Sequence, residues 1–293
     1  MEISIGIMAY NEESNIGQLL QNIKDQKLNK VSIKEIIIVS SGSIDNTNKI
    51  VKDISKKYKK VILIKEKERK GKAKAINLFL EKASSKILVL CSADIKLWEN
   101  TIEQLCLPFL DNNIGIVGAR PIPTNSKDCF IGYTVHLLWF LHHEIAKKNP
   151  KFGELIAFRN LFEKIENTAV DEEYIAMRVI KENNFNPGYA CDAIIYNKGP
   201  ETIKDFIGQR RRIYAGHNDL QDNSGYEVPT MKKLNILSAL IRNYNLFNIK
   251  TSHWLFGAAC LEMYCRILGW YDLNIKNKKH FIWDVAGSTK FNK

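Results

Sequence analysis

Over the first 120 residues, short apolar runs alternate with stretches of helical period. The runs ISIGIMA (3–9), EIIIVS (35–40), KVILIK (60–65), KILVLCS (86–92) and IGIVGAR (114–120) read as strands. Residues 14–26, 46–57, 72–83 and 99–110 read as helices. Strands that are apolar on both faces need cover on both faces, and intervening helices supply the crossovers that parallel strands require. The pattern predicts an α/β domain with a Rossmann-like, mainly parallel central sheet flanked by helices. Ligands of such sheets bind beyond the carboxyl ends of the strands. The loops after the first, second and fourth strands, AYNEE, SSGSIDNT and SADIK, are therefore expected to carry function.

Residues 121–170 are less regular and hold an aromatic, histidine-rich segment, 133–148, expected to be helical. A helix at 171–183, a strand at 189–197 and a basic helix from about 202 to 216 follow. The tail reads as two or three helices without repeats. The predicted division is a catalytic domain over 1–225 and a helical extension over 226–293.

A formal charge of +11 favours an anionic partner: nucleic acid, an anionic membrane surface or a phosphorylated substrate. The lysine run 49–74 also reads as a solvated helix face and loop. None of the six cysteines forms a CxxC pair, and a reducing, cytoplasmic setting is expected. No signal-peptide pattern precedes the strand that starts at Ile3. The longest apolar stretch, 254–271, is interrupted by Glu262 and Arg266, spaced to pair at i,i+4, and does not read as membrane-spanning.

Four polar segments are candidates for chemistry. In VSSGSIDNT (39–47), Gly42 permits a tight turn and Ser43 and Asp45 can cap the next helix, or the loop can hold a base or ribose. Ser92-Ala93-Asp94 puts one carboxylate at a strand end, either as a helix cap or as a hard oxygen ligand for Mg²⁺ or Mn²⁺ on a diphosphate. Asp171-Glu172-Glu173 opens a helix, where the dipole favours acids, or supplies a general base. Gln209-Arg210-Arg211-Arg212, followed by His217, reads as a basic surface helix or as a diphosphate clamp. His142 and His143, being adjacent, point to different helix faces, whereas His136 and His143 can share one toward an acceptor cleft.

In this order the segments resemble glycosyltransferase family 2, the inverting enzymes of the GT-A fold. Ala9 to Glu12 is similar to the family's PxYNE loop. VSSGSIDNT is similar to VDDGSxDxT, with Ser40 and Ser41 in place of the acidic pair. Gly71, Lys72, Ala75, Ile76 and Asn77 match a Gly-Lys-x-x-Ala-hydrophobic-Asn segment. Ser92-Ala93-Asp94 stands for Asp-x-Asp without its first acid. Asp171-Glu172 stands for Glu-Asp, Gln209 to Ile213 for Gln-x-x-Arg-Trp, and Gly153 to Arg159 for an acceptor-side segment. The resemblance covers residues 3–217.

It implies a UDP- or GDP-linked sugar donor and an acceptor glycan or lipid. Ala9, Tyr10, Asn11, Glu12 and Ser41 would line the nucleoside pocket, with Lys72, Ser92 and Ala93 nearby. Asp94 would orient a divalent cation, and Glu172 would be the base with Asp171 beside it. Neighbouring carboxylates are expected to raise each other's pKa. Gln209, Arg211, Arg212 and His217 would contact the diphosphate.

The tail aromatics Trp254, Phe256, Tyr264, Trp270, Tyr271, Phe281 and Trp283, flanked by Lys276, Lys278 and Lys279, suit peripheral contact with a membrane's cytoplasmic face. A core helix or a dimer contact fits the same pattern. Competing readings are an inactive nucleotide-sugar-binding module, motivated by Ser92, and a basic nucleic-acid-binding protein. Few aromatics interleave with the arginines, so no nucleic-acid partner is expected. A sugar nucleotidyltransferase needs a Gly-rich, Arg-containing first loop, and a dinucleotide oxidoreductase needs GxGxxG; neither occurs.

Overall fold

A computed structural model of the chain describes residues 1–243, 252–282 and 289. Trp283 lies outside the described residues. The first half alternates as its periodicity predicts: β1 (Glu2–Ala9), α1 (Ile16–Lys24), β2 (Ser32–Ser41), α2 (Thr47–Lys57), β3 (Val61–Glu66), α3 (Lys72–Lys82) and β4 (Ile87–Ser92). Then come β5 (Ile95–Leu97), α4 (Thr101–Cys106), a 3₁₀ turn (Leu107–Leu110), β6 (Ile114–Pro123), α5 (Phe130–Ala146), β7 (Leu155–Arg159), α6 (Asp171–Met177) and a π turn (Arg178–Glu182). The described chain continues through β8 (Asn186–Asn197), α7 (Ile203–Ser224), α8 (Lys233–Arg242) and α9 (Ser252–Asn274).

The strands form one sheet in the order β3-β2-β1-β4-β7-β6-β8-β5. Strands β1 to β4 are parallel to their neighbours within that group. Strand β7 runs antiparallel between β4 and β6, and β5 antiparallel to β8, so the sheet is mixed. Alternate residues enter two cores. Ile3, Ile5 and Ile7 pack with Ile16, Leu19 and Leu20 of α1 on one face. Leu88, Leu90, Ile156 and Phe158 pack with Phe79 of α3 on the other. Gly6 lets Phe79 lie flat on β1, since a Cβ there would come within 2.6 Å of the ring.

Helix α7 runs past the predicted 216 to Ser224, where Gly225 takes the left-handed conformation (φ 65°) that ends helices. Helix α9 is fastened to it by ion pairs. Arg210 donates to both carboxylate oxygens of Glu262 at 2.9 and 2.8 Å, and Arg266 joins them at 3.0 Å, the i,i+4 pair expected. Arg211 holds the fully buried Asp272 bidentately, and His280 approaches that carboxylate at 2.8 Å. Beyond α9 the chain returns to the sheet, where the Phe281 carbonyl lies 3.1 Å from where a Cβ on Gly71 would be.

No described helix is long and apolar enough to cross a membrane. Helices α8 and α9 nevertheless expose Leu234, Leu237, Ile241, Phe256, Met263, Ile267 and Trp270, with Phe256 73% accessible. None of the six cysteines is in a disulfide.

Candidate active site

The first two loops are zipped together by side-chain caps. Asn11, at φ 53°, donates its amide to Ser43 Oγ at 3.1 Å and accepts from the Ile44 amide at 2.9 Å. The Glu12 amide donates to Thr47 Oγ1 at 2.8 Å. Asp45 caps α2, accepting from the Thr47 amide at 3.0 Å and from the Glu13 amide at 3.0 Å. Asp45 thus meets the first residue of α2 and the first loop together, while Ser43 serves the first loop and not the helix, whose N-cap residue Asn46 makes no side-chain cap. The guanidinium of Arg69 stacks 4.2 Å above the Tyr10 ring.

These loops edge an open cavity of about 1120 Å³ along the carboxyl ends of the strands. Ala9, Tyr10, Glu12, Ser41, Lys72, Ser92, Ala93, Asp94, Asp171, Glu172, Gln209, Arg211, Arg212 and His217 all line it. Asn11 does not appear on its wall, its side chain being spent on the β2–α2 loop.

At the centre, Lys72 Nζ is 2.5 Å from Glu172 Oε1 and 3.9 Å from Asp171 Oδ2. Burial opposes the lysine charge, but the two carboxylates outweigh it and raise its pKa. The adjacent acids split instead of rising together. Burial pushes Asp171 up to about 7, with Lys72 working against it and Glu172 adding to it. Glu172 is partly buried, which alone would raise it, yet direct contact with Lys72 brings it below the ordinary glutamate value. One oxygen of Asp171, which is 1% exposed, has no hydrogen-bond partner among the described residues.

The arginine triplet divides. Arg212 faces this cluster, its pKa lowered by burial and sustained by Asp171, Glu172 and Glu154, and it donates to the Ala169 carbonyl at 2.9 Å. Arg210 and Arg211 are committed to Glu262 and Asp272, which removes the basic helix face that nucleic-acid binding would use. Burial, with Lys151 and three arginines around it, depresses the pKa of His217 well below the ordinary value, so it is neutral at pH 7.

Arg69 escapes sequence reasoning, and Glu154 enters it only as part of an acceptor-side segment, 153–159. Arg69 sat inside a run read as solvated lysines. Glu154 precedes β7, where φ 54° and a close approach to Ser92 direct it into the cavity. Burial, Asp94 and Glu172 push it up to about 7. The histidines are also redistributed. His142 lines the cavity, while His143 meets the Tyr189 hydroxyl at 2.9 Å and His136 the Asn125 carbonyl at 2.9 Å. The shared His136–His143 face thus packs on the chain's own polar groups. Among the described residues no group of three or more His, Cys, Asp or Glu could hold a metal ion by itself.

Away from the carboxylates the cavity turns apolar, walled by Leu137, Leu138 and Leu141 of α5, Ile236 and Leu240 of α8, and Leu255, Ala258 and Met263 of α9.

Comparison with known proteins agrees with this layout. The mannosyltransferase PcManGT from Pyrobaculum calidifontis, solved with GDP-Man and Mn²⁺, has a TM-score of 0.63 at 21% identity, covering 92% of this chain and 84% of that one. Glucosyl-3-phosphoglycerate synthase from Mycobacterium tuberculosis, solved with Mn²⁺, UDP and glucosyl-3-phosphoglycerate, gives 0.52 at 17% identity, covering 76% and 80%. At these identities the likeness establishes the fold, which is GT-A. In sequence, an uncharacterized protein of Methanocaldococcus jannaschii is 25% identical over 213 residues, which is 69% of this chain and 85% of that protein. Glycosyltransferase AglE of Haloferax volcanii is 28% identical over 118 residues, 40% of this chain and 38% of its own length. The chain thus aligns with less than half of AglE. The family model for glycosyl transferase family 2 matches residues 4–164, from β1 to the segment before α6, more than half of the sequence, and on that match the chain belongs to glycosyl transferase family 2.

Proposed function

We propose that the protein is an inverting glycosyltransferase that moves a sugar from a UDP- or GDP-linked donor to an acceptor hydroxyl. The observation that carries this reading is the shared cavity: a polar nucleotide end, a carboxylate–lysine cluster and an apolar end meet in one volume. PcManGT with GDP-Man and the Mycobacterium synthase with UDP support a nucleotide donor of either base. The nucleoside lies against Tyr10, Glu12, Ser41 and Arg69, with Ala9, Ser92 and Ala93 beside the diphosphate. Ser41 is 6% exposed and its hydroxyl has no partner among the described residues, as a group awaiting a ligand would be.

The donor set also fits a divalent cation. Mg²⁺ and Mn²⁺ are held through one or two carboxylates together with substrate phosphates, so Asp94 at the end of β4 is chemically suited without an all-protein cage. A bound cation would neutralise charge on the diphosphate as it departs. Arg212, aided by Gln209, stabilises the same charge from α7; Arg211 acts through α9.

Glu172 accepts the acceptor's proton as its oxygen attacks the anomeric carbon. The bond from that carbon to the diphosphate oxygen breaks, its electron pair leaves with the diphosphate, and a single displacement inverts the centre. Lys72 keeps Glu172 ionised, hence able to take a proton, and fixes its direction. The apolar lining residues, together with the exposed apolar residues carried by the same helices α8 and α9, favour a lipid-linked acceptor over a soluble glycan, with the protein peripheral to an anionic membrane surface.

Glu172→Gln tests the assignment in a nucleotide-diphosphate release assay over UDP- and GDP-sugars. Turnover with the cognate donor is expected to fall by about 10² or more, with donor affinity retained. Unchanged turnover would remove Glu172 as the base.

A further inference from the structure

We infer that Glu154 supplies the second cation-facing carboxylate of the donor site, standing in for the acid that Ser92 lacks. The inference rests on the nucleotide-sugar reading and adds a residue to it. Cys91 of β4 pairs with Leu155 of the antiparallel β7, and the Ser92 amide donates to the Glu154 carbonyl at 2.9 Å. Residues 92 and 154 are thus brought opposite each other just past the end of the ladder. The Ser92 side chain hydrogen-bonds the Glu154 carboxylate, and Asp94 is close enough to interact with it electrostatically. A carboxylate lost from β4 is thereby replaced across the strand.

The backbone has been bent for this placement. Glu154 is one of few described non-glycine residues at positive φ (54°), a conformation that costs energy and that surrounding structure must enforce.

The charge around it calls for a cation. Asp94, Glu154, Asp171 and Glu172 all line the cavity, faced by Lys72, Arg212 and Lys151. The buried Asp171 oxygen and the buried Ser41 hydroxyl, both without partners among the described residues, line the same space. Four carboxylates against three cations, with buried unsatisfied oxygens lining the same cavity, match a site completed by a hard cation and phosphate oxygens.

The test is Mn²⁺ titration followed by electron paramagnetic resonance, with UDP and GDP present, alongside calorimetry of each nucleotide without metal. Glu154→Gln preserves size and removes the charge. It is expected to weaken Mn²⁺ binding tenfold or more while metal-free nucleotide affinity stays within twofold. Ser92→Asp in the Glu154→Gln background is expected to recover Mn²⁺ binding, which a merely misfolded variant would not do. Wild-type Mn²⁺ affinity in Glu154→Gln overturns the role of Glu154 and leaves the donor reading standing. A wild-type protein that binds neither nucleotide overturns both.

Discussion

Asp171 and Glu172 are neighbours in sequence but not in electrostatics. Asp171 loses its water and is only distantly compensated, at 3.9 Å from Lys72, whereas Glu172 is in direct contact at 2.5 Å. The consequence is opposite pH behaviour. Asp171, raised to about 7, binds its proton more tightly in the folded than in the unfolded chain, so its contribution to stability declines as pH rises from about 4 toward 7. Glu172, with a depressed pKa, contributes stability that is present above the ordinary glutamate value and lost as pH falls through its folded value. Asp171→Asn is therefore expected to stabilise the ligand-free protein at pH 8 by about 1 kcal/mol or more and to do little at pH 4, where the aspartate is already protonated. Thermal unfolding at the two pH values checks this, and an equal shift at both would refute it. The identities of these acids were legible from the sequence; their division of labour depends on a lysine about one hundred residues away in the chain.

Helix α7 shows how one stretch of sequence serves two ends. Successive residues on a helix are about 100° apart, so Arg210, Arg211 and Arg212 cannot all face one ligand. Arg212 turns to the carboxylates, while Arg210 and Arg211 grip α9. Removing Arg211 leaves Asp272, which is 0% exposed, with His280, whose pKa burial lowers, as its remaining side-chain partner among the described residues. Arg211→Ala is expected to destabilise the protein by about 3 kcal/mol, because an uncompensated buried carboxylate is costly. Arg212→Ala is expected to weaken nucleotide-diphosphate binding with a smaller effect on stability. Denaturant unfolding beside nucleotide calorimetry separates the two, and the assignment fails if Arg211→Ala weakens the nucleotide at unchanged stability.

Helices α8 and α9 each carry both residues that line the cavity (Ile236, Leu240, Leu255) and exposed apolar residues (Leu237, Phe256, Ile267), and Lys232, Lys233, Arg242 and Lys276 lie in or next to these helices in sequence. Apolar contact and cationic side chains are additive attractions to an anionic bilayer surface, the second screened by salt. The protein is expected to float with vesicles containing anionic phospholipid, less so at high salt. The double variant Phe256→Glu, Ile267→Glu is expected to abolish flotation while leaving the unfolding midpoint unchanged, since both side chains are more than half exposed. Flotation equal to wild type would exclude this face.

Periodicity was enough to write the parallel half of the sheet, because each of its strands is a continuous apolar run and each crossover helix has its own buried stripe. Ser92-Ala93-Asp94 and Asp171-Glu172 stood out as acids at a strand end and a helix start, whereas Lys72 entered only through the resemblance to the family. Strand β7 carried no comparable signal. It is five residues long, and its antiparallel insertion between β4 and β6 is a matter of pairing, not of local pattern. What that insertion decides is the placement of Glu154 beside Ser92, just as α9 decides the fate of Arg211. Local sequence determines which segments are strands and helices and which polar groups they carry. Partners for those groups come from segments distant along the chain, and only the packed structure selects them, since burial and short range set the strength of every charge interaction.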